Sequence, residues 1–433
     1  MAINKDTTNI GLLGLGVVGS AVAAVLRDKA DMLAEQAGVT FSLQKALVRD
    51  LAKPRPGEIK AGLLTDDVRK VIADPAIDII IELMGGEQPA LGYIKEAIMR
   101  GKHVVTANKE VMAKYGYELL SLAKEYNVQL RYEASVGGGI PLIVPFEQSL
   151  SANDVSAIYA ILNGTTNYIL TRMSRDGLDF AVALRRAQEL GYAEAEPVND
   201  IEGVDAAYKL AILAGLAFHV RVNPQNIYRE GISHLEARDF RYAEEFGYAI
   251  KLLAIAKREK GALDIRVHPV LIPEDSQLAK VDGVYNAVQV EGDLIGRVVF
   301  YGEGAGALPT ASAVMADVLA VSKNRCCQEK EFSQRLVIRD LVMKPVTEIE
   351  SCYYLRLSAA DCAGVLAQIS RVLGDNAISI ASVVQKESDP ATKSAEIVVM
   401  THLAMEKALR KAIEELECLD VVKKISNFIR VEA

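Results

Sequence analysis

The densest chemistry in the 433-residue chain lies in Gly191-Tyr-Ala-Glu194-Ala-Glu196-Pro-Val-Asn-Asp200-Ile-Glu202-Gly203-Val-Asp205-Ala-Ala-Tyr-Lys209, where five acids fall within twelve positions and a lysine follows. The run continues as Leu210-Ala-Ile-Leu-Ala-Gly-Leu-Ala-Phe218. A helix over about 203–218 is therefore apolar nearly all round and is expected to be buried. Asp205 and Lys209, four apart, share one face near its start. A buried charge has to be paired or functional. The alternative, an exposed i,i+4 ion pair, is worth only ~0.3–0.5 kcal/mol. Carboxylates beside a lysine suit a small zwitterionic substrate whose ammonium needs a counter-charge.

A second chemistry is written near the N-terminus. Gly14-Leu15-Gly16-Val17-Val18-Gly19 follows the apolar run Thr8–Leu13 and opens an amphipathic segment. The first glycine of such a motif allows a tight turn, and the second admits a pyrophosphate. The third lets strand and helix pack closely. The following apolar run ends Ala46-Leu47-Val48-Arg49-Asp50, with Lys53 soon after. An acid at this point binds the ribose of NAD, whereas an arginine accommodates the extra phosphate of NADP. Both signs are present; Arg49 and Lys53 tilt the reading toward NADP.

Three further pieces could serve a site. His103-Val-Val-Thr-Ala-Asn-Lys109 delivers Lys109 at the end of a strand, the edge where open α/β sheets bind ligands. It reads equally as solvated surface. Glu133-Ala-Ser-Val-Gly-Gly-Gly-Ile-Pro141 is either a flexible loop or a set of inward carbonyls for a hard cation. Tyr301-Gly-Glu-Gly304-Ala-Gly306-Ala-Leu-Pro-Thr310 precedes a helix and suits a phosphate or the nicotinamide amide, or is an ordinary helix entry.

Positioning these residues takes three kinds of element pattern. Over 8–135, short apolar runs (Thr8–Leu13, Phe41–Val48, Ile77–Leu83, His103–Thr106, Gln129–Ala134) alternate with helix-like stretches at Val17–Leu33, Pro89–Arg100 and Glu110–Tyr126. That alternation predicts a Rossmann-type, doubly wound parallel α/β sheet over residues 1–135, completed by a helix at Pro309–Val321 within about 308–340. Residues 136–307 read as an α+β catalytic and dimerisation domain. A strand at Val155–Leu162 precedes helices at about 179–190 and 203–218. Strands follow at Ala249–Ala256 and Leu263–Leu271, then the pair Tyr285–Val290 and Ile295–Phe300 joined through Gly292. From 350 to 433 the order is βαββαβ, a ferredoxin-like arrangement: Tyr353–Leu357, Gly364–Leu373, Ile378–Gln385, Glu396–Thr401, Met405–Leu416 and Asp420–Val431.

Composition removes several classes. Half the residues are hydrophobic and 24% charged, which excludes wholesale disorder. Lys plus Arg number 49 against 57 Asp plus Glu, a net charge of −8 that argues against nucleic acid or an anionic membrane as the partner. No apolar run approaches the ~18 residues of a membrane span, and no secretory signal opens the chain. The five cysteines show no paired spacing and the five histidines are scattered, so disulfides and transition metals are not expected. With histidine so scarce, acid/base work falls to carboxylates and lysines. The protein is expected to be soluble and cytoplasmic.

Taken together, the motifs resemble the homoserine dehydrogenase family over essentially the whole chain. The resemblance is carried by Gly14–Gly19, Val104-Val-Thr-Ala-Asn-Lys109, Asn163-Gly-Thr-Thr-Asn167, Gly191-Tyr-Ala-Glu194, Asp200–Lys209, Gly304-Ala-Gly306 and Pro309-Thr-Ala-Ser-Ala. It implies NAD(P)-dependent interconversion of L-homoserine and L-aspartate 4-semialdehyde, on the route to threonine, methionine and isoleucine. It further implies that Lys209 is the catalytic lysine, with Asp205 beside it. Glu194, Asp200 and Asp205 bind or orient the amino acid, and Lys109 lies in the cofactor and substrate cleft. Gly14, Gly16, Val17, Val18, Gly19, Arg49, Lys109 and Gly304 contact the cofactor. A sodium ion is implied at Glu133 and the carbonyls of Val136, Gly138 and Ile140. The last 80 or so residues resemble an ACT regulatory domain, with Asp361-Cys-Ala-Gly364 at the effector turn, Ala363 replacing the usual proline, and threonine as the expected effector, dimerisation alone being the alternative role. No aspartokinase-like region precedes the dehydrogenase, which implies the monofunctional form, as a homodimer or homotetramer. The competing readings are a related amino-acid dehydrogenase of different substrate and a non-enzymatic dinucleotide and amino-acid sensor.

Overall fold

Runs of Val, Ile and Leu separated by amphipathic helices do make a parallel sheet. In the computed structural model, which describes residues 7–53, 55, 61–259, 261–327, 339, 341–389 and 393–432, six strands lie in the order Leu64–Thr65, Thr40–Leu47, Thr7–Leu13, Ile79–Glu82, His103–Thr106, Leu130–Arg131. Every neighbouring pair is parallel. Strand order reverses beside Thr7–Leu13, so the switch point lies between that strand and Ile79–Glu82. Ile79, Ile80 and Ile81 are all fully buried, as expected of a central strand covered on both faces. This sheet belongs to a compact unit comprising residues 1–155, 208–226 and 292–340. Helix Ala307–Cys327 supplies Ala311, Val314, Val318 and Val321 to the same core as Ile10, Leu12 and Val22. The rest of the 308–340 stretch, residues 328–338 and 340, lies outside the described residues.

Local chemistry explains where the elements differ from expectation. The helix anticipated over Val17–Leu33 is two, Val17–Asp28 and Ala30–Ala37, because Lys29 leaves helical geometry at φ −117°, ψ 21°. The strand anticipated over Gln129–Ala134 shortens to Leu130–Arg131, since Glu133–Ser135 close a 3₁₀ turn with Ser135 N–H donating to the Tyr132 carbonyl. Strand Leu64–Thr65 is too short to announce itself by alternation.

The second unit comprises residues 156–207, 227–291 and 341–433. Its sheet runs Tyr285–Gly292, Val155–Ile161, Tyr248–Glu259, Ala262–Pro273, Val422–Val431, Glu350–Ala360, Ser394–Thr401, Ile380–Asp389. Tyr248–Glu259 and Ala262–Pro273 form an unbroken antiparallel ladder from Ala262↔Glu259 to Pro273↔Tyr248. The C-terminal elements appear in the βαββαβ order, with helices Val365–Asp375 and Glu406–Glu417. Their strands join the same sheet through the parallel contacts Val270↔Arg430 and Leu271↔Val431. Tyr353, Leu355 and Leu357 pack under Ile369, Leu373, Leu409 and Leu416. Helices Gly164–Asp176 and Ala237–Glu245 were not anticipated, the first because it opens on the weak helix formers Gly-Thr-Thr-Asn. Among the described residues no helix is long and apolar enough to cross a membrane.

Candidate active site

The glycine motif makes the tight turn and the close strand–helix packing that its spacing predicts. Gly14 sits at φ +98°, and a Cβ there would lie 2.8 Å from the Leu83 carbonyl oxygen. A Cβ on Gly19 would lie 2.2 Å from the Gly14 carbonyl oxygen, so the turn and the Val17–Asp28 helix can close only without one. Around Gly16 the space is open, and Gly16 and Val17 are exposed at the helix N-terminus, with Val18 partly buried behind them. That is a free backbone edge with a positive dipole end, which fits a pyrophosphate. Arg49 and Asp50 are exposed just past strand Thr40–Leu47. The Asp50 carboxylate accepts the Ala52 N–H at 2.8 Å and so serves its own turn. Lys109 is the first residue of helix Lys109–Glu125, whose N-cap Asn108 accepts the Val111 N–H at 3.1 Å.

The two glycine-rich segments meet in the same unit, Gly139 N–H donating to the Glu303 carbonyl at 3.1 Å next to buried Gly304. Val136, Gly138 and Ile140 are buried in this loop. The Glu133 carboxylate accepts N–H groups of Leu142 at 2.6 Å, Ile143 at 2.8 Å and Val144 at 2.9 Å, holding the entry of helix Ile143–Glu147. Its own N–H donates to Asp317 at 2.9 Å. Burial pushes the Asp317 carboxyl up to about 7, against the pull of that N–H. Among the described residues no cluster of three or more His, Cys, Asp or Glu is placed to hold a metal.

The acidic cluster is organised by a side chain that the sequence motif contained without a role. Asn163 caps helix Gly164–Asp176 by accepting the Thr166 N–H at 2.8 Å. Its Nδ2 donates to Asp200 at 2.7 Å and to Asp205 at 2.9 Å, so one amide gathers two carboxylates separated by five positions. Asp205 and Lys209 are 4% and 8% exposed on helix Val204–Phe218, which removes the reading of a surface ion pair. Asp200 is half-buried. Glu194 is exposed in the turn after helix Phe180–Glu189.

The chain matches the homoserine dehydrogenase NAD-binding domain over residues 14–133, the homoserine dehydrogenase domain over 141–319 and the ACT domain over 353–419. It is 43% identical to a homoserine dehydrogenase of Neisseria gonorrhoeae over 434 residues, covering 98% of each chain. Among solved structures it is similar to a homoserine dehydrogenase from Thiobacillus denitrificans, at 43% identity and a TM-score of 0.92 over 99% of each chain. A Staphylococcus aureus homoserine dehydrogenase is 33% identical with a TM-score of 0.78, over 99% of this chain and 100% of that one.

Proposed function

The chain belongs to the homoserine dehydrogenase family, and on that premise we propose how its residues share the work of an NAD(P)-dependent oxidoreductase acting on a CH–OH group. The reaction interconverts L-homoserine and L-aspartate 4-semialdehyde, within the biosynthesis of threonine, methionine and isoleucine. A nicotinamide dinucleotide held in this fold would supply or take the hydride at the substrate's terminal carbon. Lys209 donates its ammonium proton to the aldehyde oxygen during reduction and recovers it from the hydroxyl during oxidation. Asp200 and Asp205 hold the amino-acid end, one carboxylate available to the substrate ammonium, with Glu194 at the rim. Lys109 serves both cofactor and substrate. The observation that carries this reading is the pairing of Asp200 and Asp205 by Asn163, one helical turn from buried Lys209. Mixing the protein with homoserine and NADP and following nicotinamide absorbance tests it; no turnover with either NADP or NAD would end it.

Arg49 sets the cofactor preference by pairing with the 2′-phosphate, since neighbouring Asp50 is turned to its own backbone. Arg49→Ala weakens NADP binding by about 1.5–3 kcal/mol, the worth of a hydrogen bond to a charged group, and leaves NAD nearly unchanged in titration calorimetry. Equal losses for both cofactors would make Arg49 structural. Glu133 and the loop carbonyls of Val136, Gly138 and Ile140 are assigned to a sodium ion, oxygen being the donor a hard cation takes. Replacing sodium by choline at constant ionic strength is expected to lower the melting temperature or the rate. Identical behaviour in the two salts would remove the ion.

An ACT domain at the C-terminus points to an amino-acid regulator. Threonine, the end product, fits that role at the exposed Asp361–Gly364 turn, where Gly364 at φ +90° starts helix Val365–Asp375. Inhibition requires unequal affinity for two states, not binding alone. Threonine is expected to inhibit the native chain, and Asp361→Ala to blunt that inhibition at unchanged basal rate. Full sensitivity in Asp361→Ala would place the effector elsewhere.

A further inference from the structure

Glu82 closes the central strand Ile79–Glu82 and is 0% exposed. Its register partners are Leu13 on one side and Thr106 on the other. The residue therefore stands at the carboxyl edge between the strand that feeds the Gly14 turn and the strand that feeds Lys109. This is the switch point, where an open α/β sheet takes a dinucleotide across the crevice. Arg49, at the end of the second strand, marks the adenosine side, so the nicotinamide half falls over the ends of Ile79–Glu82 and His103–Thr106.

The hydrogen bonds of Glu82 show what it holds. One oxygen accepts the Met84 N–H at 2.7 Å, and the other accepts the Thr106 hydroxyl at 2.6 Å. The Thr106 oxygen also accepts the Asn108 N–H at 3.0 Å, so Thr106 links Glu82 to the residue before Lys109. Asn108 in turn donates to the Gly86 carbonyl at 2.7 Å and caps the helix that begins with Lys109. Both carboxyl oxygens are thus engaged by neutral groups. Burial raises its pKa above the usual carboxylate value, and Thr106, the Met84 and Gly85 backbone N–H groups and Asn108 pull it only partly back. Every one of these partners is a neutral donor. Among the described residues the hydrogen-bond partners of Glu82 are uncharged, so an ionised Glu82 would keep its field at this edge of the sheet, although buried charges are normally paired.

We propose that Glu82 is a positioning residue that also sets the redox preference of the site: its charge favours the oxidised nicotinamide, whose ring is positive, over the reduced and neutral one. The proposal rests on the reading of this crevice as a nicotinamide dinucleotide site. One buried charge acting over about 10 Å at an effective dielectric of about 20 changes relative affinity by roughly tenfold. The experiment measures dissociation constants of NADP⁺ and NADPH for the native chain, Glu82→Gln and Glu82→Asp. In Glu82→Gln the ratio of NADP⁺ to NADPH affinity is expected to fall by about tenfold. Glu82→Asp, which keeps a carboxylate but shortens its reach to Met84 and Thr106, weakens both forms alike and leaves the ratio near the native value. Equal loss of both forms in Glu82→Gln would overturn the electrostatic role. If Glu82→Gln does not fold, a ratio in Glu82→Asp displaced by about tenfold would overturn it, because turn geometry alone would then set the preference. Failure of the native chain to bind either form would instead overturn the dinucleotide reading itself.

Discussion

Lys209→Ala is expected to lower kcat by roughly 10²–10⁴, the usual worth of a positioned acid/base, while dinucleotide dissociation constants stay within about twofold of native. The reasoning starts from burial. A lysine 8% exposed on a helix built of Leu, Ala and Ile is costly to keep there unless it is paired or does chemistry. Hydride arriving at the aldehyde carbon leaves charge on the oxygen, and a proton delivered there stabilises the transition state directly. Lys209→Arg keeps the charge and discriminates further. A guanidinium does not release its proton at neutral pH, so it cannot restore the oxidation of homoserine. Near-native turnover by Lys209→Ala, in a variant of unchanged melting temperature, would take the proton transfer away from this residue.

Features that depend on neighbouring residues were legible in the sequence. The Gly14–Gly19 turn is announced by the spacing of its glycines, and the strand and helix order follows from periods of two and 3.6. Features that depend on distant partners were not. Asn163 stood in a quoted motif, yet its partners Asp200 and Asp205 lie 37 and 42 positions away, and nothing local assigns the bridge. Glu82 ends the run Ile-Ile-Ile-Glu and could be seen as the odd residue in an apolar strand, but its bond to Thr106 requires knowing that those two strands are neighbours. The clearest case is Tyr353-Tyr-Leu-Arg-Leu357. Alternation correctly puts Tyr353, Leu355 and Leu357 on the face under the two helices. By the same rule Tyr354 and Arg356 point to the opposite face, which an isolated ferredoxin-like fold leaves to water. Here that face is covered by helix Ala237–Glu245, and Arg356 is only 2% exposed.

That covered face carries the largest expected effect on stability. Asp239, 0% exposed, accepts from Arg356 Nε at 2.7 Å, Tyr354 Oη at 3.1 Å, Asn427 Nδ2 at 2.9 Å and the Glu236 N–H at 2.9 Å. Asp239→Ala strips all four donors of their acceptor in a dry interior. Breaking a buried pair by removing one partner costs about 3–5 kcal/mol, because the remaining charge stays buried. A loss of that size is therefore expected in denaturant unfolding. Arg356 retains Glu396 at 2.9 Å, so Asp239→Asn, which keeps a polar group of the same shape, should lose less. A loss below about 1 kcal/mol for Asp239→Ala would mean that water reaches the network. The same contacts bear on the C-terminal segment. Removing the chain beyond about Lys344 takes Arg356, Tyr354 and Asn427 from Asp239, and Glu432 from Arg266, which is itself 1% exposed. Such a truncation leaves two buried charges without those partners, so its first consequence is lost folding stability rather than simple deregulation. Sensitivity to an effector is therefore better separated from folding by exposed substitutions at the Asp361 turn, which leave the Asp239 network intact.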